Sequence, residues 1–174
     1  MEQKRTVLED LMPFFEMTDG LALSQLCAIT QIEPATIQNW VKRGFVSWPV
    51  GKRYSKEQCA RILMIHALRD TMQLERIVGL ISYVNGNLLD TADDIILDSD
   101  LYQYFCHVTA TLTEKGSMET NMIQETISRE LEDYQGTEEE KDKLKNALRI
   151  MTLSYEANHL QRRADKLYKE VIQK

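Results

Sequence analysis

Apolar residues recur every three or four positions along most of this chain, and this spacing predicts helices joined by short turns. Strand-like alternation of apolar and polar residues is scarce, and glycine and proline are few. The sequence therefore predicts a mainly α fold. In the first half, helices are expected at residues 5–16 with Pro13 as a point of interruption, from Leu23, at 35–43, at 56–72 and at 74–83.

The second half continues the helical pattern and ends in a long helix. Helices are predicted at 101–112 and 118–131, and a capping box at Thr137–Glu140 starts a last helix that runs almost to Lys174. The apolar stripe of this helix steps by four and three residues in turn, at Leu153, Ala157, Leu160, Ala164, Leu167 and Val171. Such a heptad suits packing on its own domain or a coiled-coil seam, and we expect partial self-association.

Residues 21–54 carry the signals of a helix-turn-helix followed by a small wing. In the second of two short helices, Ile37, Trp40 and Val41 share one face, and Gly44 is placed to end the helix. Phe45–Pro49 reads as an extended segment, and Val50–Tyr54 as a turn with a return strand that carries two cations at its tip. Ser55 then caps the next helix, with Glu57 or Gln58 within capping-box reach.

Positive charge is concentrated in the same region of an otherwise acidic chain. The net charge is −6 overall, whereas residues 36–76 carry +5. A module that gathers cations in this way is suited to a polyanion such as DNA, although a solvated surface explains the charge alone equally well. The basic side chains of this window are Lys42, Arg43, Lys52, Arg53, Lys56, Arg61, Arg69 and Arg76.

The order and spacing of these landmarks resemble the MerR-type winged helix-turn-helix over residues 21–81. The segments that carry the resemblance are Leu23–Thr30, Thr36–Trp40, Arg43–Val46, Pro49, Gly51–Ser55, Ile62–Arg69 and Leu74–Ile81. The full chain also resembles an uncharacterised bacterial family, classed as a domain of unknown function, that joins this module to a helical C-terminal part.

The resemblance implies a recognition helix at 35–43 in the major groove of DNA and a wing at 45–54 on the backbone. It assigns Thr36, Gln38, Asn39 and Lys42 to the exposed face of the recognition helix, and Arg43, Lys52, Arg53 and Tyr54 to phosphates or the adjacent minor groove. The chain departs from the family pattern at two positions of the recognition helix, because Gln38 stands where an arginine is common and Trp40 where a tyrosine is. The wing is one residue shorter, so Lys52 takes the place of its arginine.

These observations predict an N-terminal helix at 1–20, a winged helix-turn-helix domain at 21–83 and a helical C-terminal domain at 84–174. The expected function is a sequence-specific transcriptional regulator that binds double-stranded DNA as a homodimer. A protein-interaction adaptor that uses a degenerate winged helix is the alternative. A third hypothesis is a regulator whose C-terminal helices bind a small-molecule effector.

The residue types and their spacing give little support to a catalytic function. His66, His107 and His159 are isolated on predicted helices, and no hydrolase, metalloprotease or nucleotide-binding motif occurs. We therefore expect no enzymatic activity and no cofactor. Lys56 and Arg61 flank Cys59 and would lower the pKa of its thiol.

Metal binding is also not expected. The three cysteines are far apart in sequence, which argues against a zinc site or a disulfide framework. The aspartates of residues 90–100 do not have EF-hand spacing, and we assign several of them to helix caps: Asp90 or Thr91 before one turn, and Asp98 or Ser99 before the helix at 101–112.

No apolar run reaches the about 20 residues that a membrane helix requires. The start of the sequence also lacks the apolar segment of a secretory signal. We therefore expect a soluble cytoplasmic protein that does not bind membranes.

Overall fold

The structure, a computed structural model, describes residues 6–86, 88, 94–116 and 119–172. The described residues confirm the mainly α prediction, including the long last helix. The helices are α1 (Val7–Asp10), α2 (Met12–Met17), α3 (Leu23–Thr30), α4 (Pro34–Lys42), α5 (Lys56–Leu68), α6 (Leu74–Asn85), α7 (Asp98–Lys115), α8 (Thr120–Glu130) and α9 (Glu138–Ile172), and the strands are β1 (Leu21–Ala22) and β2 (Arg53–Tyr54).

The N-terminal segment forms two short helices where one was expected. Thr6 caps α1 in a capping box with Glu9, and the backbone changes direction at Leu11. Pro13 then occupies the first turn of α2, where its missing N–H leaves no hydrogen bond unmade. Leu8 and Leu11 are buried and join the main core.

Helix α5 is the centre of the molecule. Ser55 caps it through a capping box with Gln58, as the sequence predicted. Every residue from Gln58 to Ile65 is buried, so this helix has no solvent-exposed face over that stretch. Neighbouring helices cover α5 on several sides, with α7 as its main partner. The helix also ends at Leu68, before the expected Met72.

The predicted domains at 21–83 and 84–174 share one hydrophobic core. Helix α5 packs on α7, and α6 packs on α9, so buried side chains of both segments form a continuous cluster. Only the first half of α9 packs on the core, because its buried residues lie between Leu144 and Thr152. From Leu160 to Ile172 every residue is exposed, so the last turns of α9 project from the body.

The aspartate-rich segment has a different role from the one expected. Asp90, Thr91 and Asp93 lie outside the described residues. Neither Asp98 nor Ser99 caps α7, because the helix begins at Asp98 and Leu97 is in the cap position. The Asp98 carboxylate instead faces the buried guanidinium of Arg61. Over the ranges described, no helix has both the length and the apolar character needed to cross a membrane.

Candidate functional site

Helices α3 and α4 lie at the predicted positions and are joined by a short turn. Gln31, in the left-handed conformation with φ of 56°, ends α3. Helix α4 ends in a Schellman motif, in which the N–H of Gly44 donates to Val41 and the N–H of Phe45 donates to Trp40. Gly44 has φ of 75°, a conformation that glycine adopts without steric cost. The helix therefore stops where the sequence placed its end.

The two faces of α4 differ sharply. Ile37, Trp40 and Val41 are buried, as the apolar spacing predicted. The opposite face exposes Gln38, Asn39, Lys42 and Arg43, whereas Thr36 is half-buried. We call Gln38, Asn39 and Lys42 the recognition face. In α3, Leu26 is buried and Ile29 is exposed.

The wing is a hairpin turn whose return strand is fixed to the body. Strand β2 pairs antiparallel with β1, with Tyr54 opposite Leu21 and Arg53 opposite Ala22. Gly51 and Lys52, at the tip, have φ of 57° and 62°, as in the type I′ turns that fit twisted hairpins. Lys52 is exposed at this tip, and Arg53 Nη1 donates to the carbonyl of Gly20 at 3.0 Å.

The approach to the wing is held by one side chain of α5. The amide nitrogen of Gln58 donates to the carbonyls of Ser47 and Trp48, at 2.9 and 3.0 Å. Because Gln58 is itself buried, this contact fixes the segment between Gly44 and the hairpin tip. Gln58 was expected only as a capping residue, so its second role was missed.

Tyr54 does not lie on the exposed surface of the wing, which corrects its expected role at the DNA backbone. Only 3% of the residue is exposed, and its ring belongs to the main core. The alternation of a strand explains the difference, because consecutive side chains point to opposite faces and Arg53 takes the outer one. Tyr54 therefore anchors the wing.

The basic window is less cationic at the surface than its sequence suggests. Arg61 is buried against Asp98, and the exposed Arg43 pairs with Glu75 at the start of α6. Arg69 lies over the ring of Trp40, with 5.8 Å between its guanidinium carbon and the ring centroid. Among the residues described, the basic side chains of this window without a carboxylate partner are Lys42, Lys52, Arg53, Lys56, Arg69 and Arg76.

Two apolar side chains of the wing are exposed, which sequence reasoning missed. Trp48 is 74% exposed and Val50 is 85% exposed. Exposed tryptophan is enriched where proteins contact partners, because it offers a large area at a low entropic cost. The sequence signal for this exposed surface was a tryptophan next to Pro49 within a short polar hairpin.

The chemistry expected at Cys59 is reversed by burial. Burial raises the pKa of Cys59 to about 12, so the expected lowering by Lys56 and Arg61 was wrong. Cys59 is a core thiol, and Arg61 is neutralised by Asp98. No three histidine, cysteine or carboxylate residues gather into a metal-binding group within the described ranges.

Comparison with known proteins places the chain in an uncharacterised group. A family model described as a domain of unknown function, DUF1836, matches residues 15–105, from α2 into α7. The Uncharacterized protein YkrK of Bacillus subtilis (strain 168) is 27% identical over 161 residues, which cover 86% of this chain and 69% of that protein. No solved structure matches.

Proposed function

The chain belongs to the DUF1836 family, and for this member we propose a sequence-specific transcriptional regulator that binds double-stranded DNA. Residues 21–81 act as a MerR-type winged helix-turn-helix. Helix α4 enters the major groove, and the hairpin at 45–54 lies on the neighbouring backbone. The observation that carries the proposal is the recognition face, an exposed polar strip on a short helix whose other side is buried.

The chemistry of the recognition face fits base edges. Gln38 and Asn39 are amide side chains, which pair with adenine through one donor and one acceptor. Lys42 adds a cation at the end of the same helix. The buried Trp40 and the Schellman motif hold α4 in place, so its exposed side chains are presented from a rigid support.

The wing supplies contacts that do not depend on sequence. Lys52 and Arg53 are exposed on a hairpin that Gln58 and β1 hold in place. Cations in this setting attract phosphates and fix the register of the protein on the duplex. Arg43 is held by Glu75, so its role is to position the end of α4, and phosphate contact falls to Lys42, Lys52 and Arg53.

A second copy of the chain completes the functional unit. The apolar stripe on the projecting part of α9 includes Leu160 and Leu167, which are 53% and 60% exposed. A helix that presents heptad-spaced leucines to water gains free energy by pairing with the same stripe of another copy. The resulting two-fold symmetry would direct the two recognition helices to the halves of a pseudo-palindrome.

A direct test is the selection of duplexes from a random library, followed by a salt titration of the best sequence. We expect saturable binding that weakens as salt rises, with the logarithm of affinity linear in the logarithm of salt concentration. Affinity for every duplex weaker than about 100 μM at physiological salt, the weak end of non-specific binding, contradicts the proposal.

The alternative is a protein-interaction adaptor, and the exposed Trp48 and Val50 favour it. In that case the wing inserts its apolar tip into a partner protein, and the net −6 charge of the chain disfavours nucleic acid. Trp48→Ala separates the two functions, because the ring is exposed and its removal leaves the fold intact. The adaptor is supported if the parent chain binds no duplex and captures a stoichiometric protein partner that the Trp48→Ala variant fails to bind.

A further inference from the structure

A groove runs along the surface where α5, α7 and α9 meet. It consists of two adjoining depressions of about 390 and 450 Å³, which share Ala67, Tyr155 and His159 as walls. Each volume lies within the range of small-molecule sites. The groove is separate from the recognition face, and its residues have no part in the function proposed above.

One half of the groove has an apolar and aromatic wall, beside which Thr6, Thr109, Thr113 and Glu114 form a polar edge. The rings of Phe105 and Tyr155 meet edge to face with 5.7 Å between centroids, and Tyr155 meets His159 in the same way at 6.1 Å. Ala67 and Ala110 leave room above these rings because their side chains are single methyl groups. This half offers a surface for a flat or aliphatic body.

The other half is cationic. Arg162, Arg163 and Lys166 line it, and all three are exposed on α9. Within the described part of the chain no carboxylate pairs with Arg163, and Lys166 meets Glu170 only at 3.9 Å. His66 also lines this half, and its Nδ1 atom is buried without a hydrogen-bond partner. The positive charge of Arg162, Arg163 and Lys166 is therefore gathered along one side of this half.

We propose that this groove binds a small organic anion, with an apolar or aromatic body against Tyr155 and an acidic group between Arg163 and Lys166. The two halves explain why both features are required. An apolar neutral molecule leaves the cations unused, and an inorganic anion leaves the aromatic wall in water. The groove therefore selects an amphiphilic carboxylate or sulfonate.

Binding at this place acts on the contact between α9 and the winged module. Arg162 donates to Asp70 at 2.9 Å, and Thr71 donates to the carbonyl of Ser154 at 3.0 Å. An acidic ligand competes with Asp70 for Arg162, which loosens the turn between α5 and α6. Arg69, which precedes Asp70, lies over the Trp40 ring of α4. This regulatory consequence rests on the proposed DNA-binding function, whereas the binding site does not.

The groove and the dimer seam lie next to each other on α9. Tyr155, Asn158 and Arg162 are about half a turn from the apolar stripe, whereas Arg163 comes three residues after Leu160 and four before Leu167, at the edge of the stripe. A second copy of the chain on the stripe would therefore lie beside the cationic half of the groove.

The probe for this site is 8-anilinonaphthalene-1-sulfonate, which joins an aromatic body to one acidic group and fluoresces when it leaves water. Its uncharged analogue, N-phenyl-1-naphthylamine, is the matched ligand control. We expect one saturable sulfonate site per chain and much weaker binding of the neutral analogue. Equal affinity for the two probes, or no saturable sulfonate binding, overturns the proposal.

The double variant Arg163→Glu/Lys166→Glu locates the site. We expect it to weaken sulfonate binding about tenfold or more, because both charge partners become repulsive. The control is Lys141→Glu/Arg149→Glu, which makes the same charge change on the same helix outside the groove. If circular dichroism shows lost helix, Arg163→Gln/Lys166→Gln replaces the first variant. Unchanged affinity in the groove variant contradicts the site. Because this assay contains no DNA, its result does not depend on whether the DNA-binding proposal holds.

Discussion

Arg61 and Asp98 form a buried ion pair that joins α5 to the start of α7. Arg61 Nε donates to Asp98 Oδ2 at 2.6 Å and Nη2 donates to Oδ1 at 3.3 Å, and the two side chains are 5% and 10% exposed. Asn85 of α6 donates to the same carboxylate at 3.0 Å. Three helices from both predicted domains thus meet at one carboxylate, which lies at the positive N-terminal end of α7.

Removal of the carboxylate is expected to destabilise the whole protein. Asp98→Ala leaves the Arg61 guanidinium buried without its partner, which costs about 3–5 kcal/mol of unfolding free energy. Urea denaturation measures the loss. The double variant Arg61→Met/Asp98→Ala should recover much of it, because the unpaired charge is gone. Glu75→Ala, which breaks the exposed pair with Arg43, is the control and should leave the urea midpoint almost unchanged. Equal losses in the two single variants would contradict this account.

The wing cations are expected to set the salt dependence of DNA binding. The double variant Lys52→Asn/Arg53→Gln removes two charges, and asparagine is chosen because it tolerates the positive φ at the hairpin tip. We expect weaker binding to all duplexes and a salt slope flatter by about two units. Lys141→Asn/Lys143→Gln removes the same charge from α9 and should leave the slope unchanged. A parent-like slope in the wing variant would mean that the hairpin does not reach phosphate.

The recognition face is expected to set sequence preference instead. Gln38→Ala or Asn39→Ala removes an amide that pairs with a base edge, so preference at one position should relax by about 1–3 kcal/mol. The salt slope should stay the same, because neither side chain is charged. Selection from a random duplex library measures the preference. An unchanged profile in both variants would remove α4 from the major groove.

Self-association is expected to depend on the exposed stripe of α9. Leu160→Glu/Leu167→Glu should convert a dimer into a folded monomer, because both side chains lie beyond the core and like charges would face each other across the seam. Sedimentation velocity measures the change. Lys169→Glu alters the net charge by the same amount away from the stripe and should leave the dimer intact. A monomeric parent chain would refute the seam.

Acid is expected to weaken the fold through His66. Burial, followed by the nearby Arg69, lowers the pKa of this imidazole, and Asp70 opposes the shift only in part. In the unfolded chain the pKa is about 6.5, so below that pH the unfolded state binds the proton first and stability falls. His66→Gln should therefore flatten the dependence of the urea midpoint between about pH 7 and 5. Asp70 contributes in a lower window, since its own pKa is lowered by Arg162. Parallel profiles for parent and variant would contradict the assignment.

The sequence predicted local structure correctly where all the interacting residues lie in one short segment. The cap at Ser55, the glycine end of α4 and its buried face at Ile37, Trp40 and Val41 depend on residues within a few positions of each other. The hairpin tip is a similar case. The exposed recognition residues Gln38, Asn39 and Lys42 follow from the same helical period.

The same reasoning failed where the contacts of a side chain come from residues that are distant in sequence. Charge counting treated Arg61 as a surface cation, although Asp98, 37 positions further along the chain, neutralises it. Tyr54 was placed on DNA, although the pairing of β2 with β1 turns its ring into the core. The sequence suggested a small-molecule site in the C-terminal helices but not its walls, since Ala67 and Tyr155 come from helices that meet only in the folded chain.

The sequence by itself determined the helical class, the cap of α5 at Ser55, the end of α4 at Gly44 and the polar face of α4, because hydrogen bonds and apolar periods within a segment fix these. The tertiary structure decided which charges remain at the surface, which aromatic rings are buried and where cations and apolar walls meet. The physical reason is that desolvation and pairing depend on neighbours in space. The chain alone does not show that α5 is covered on several sides, and the roles of Arg61, Tyr54 and Cys59 follow from that cover.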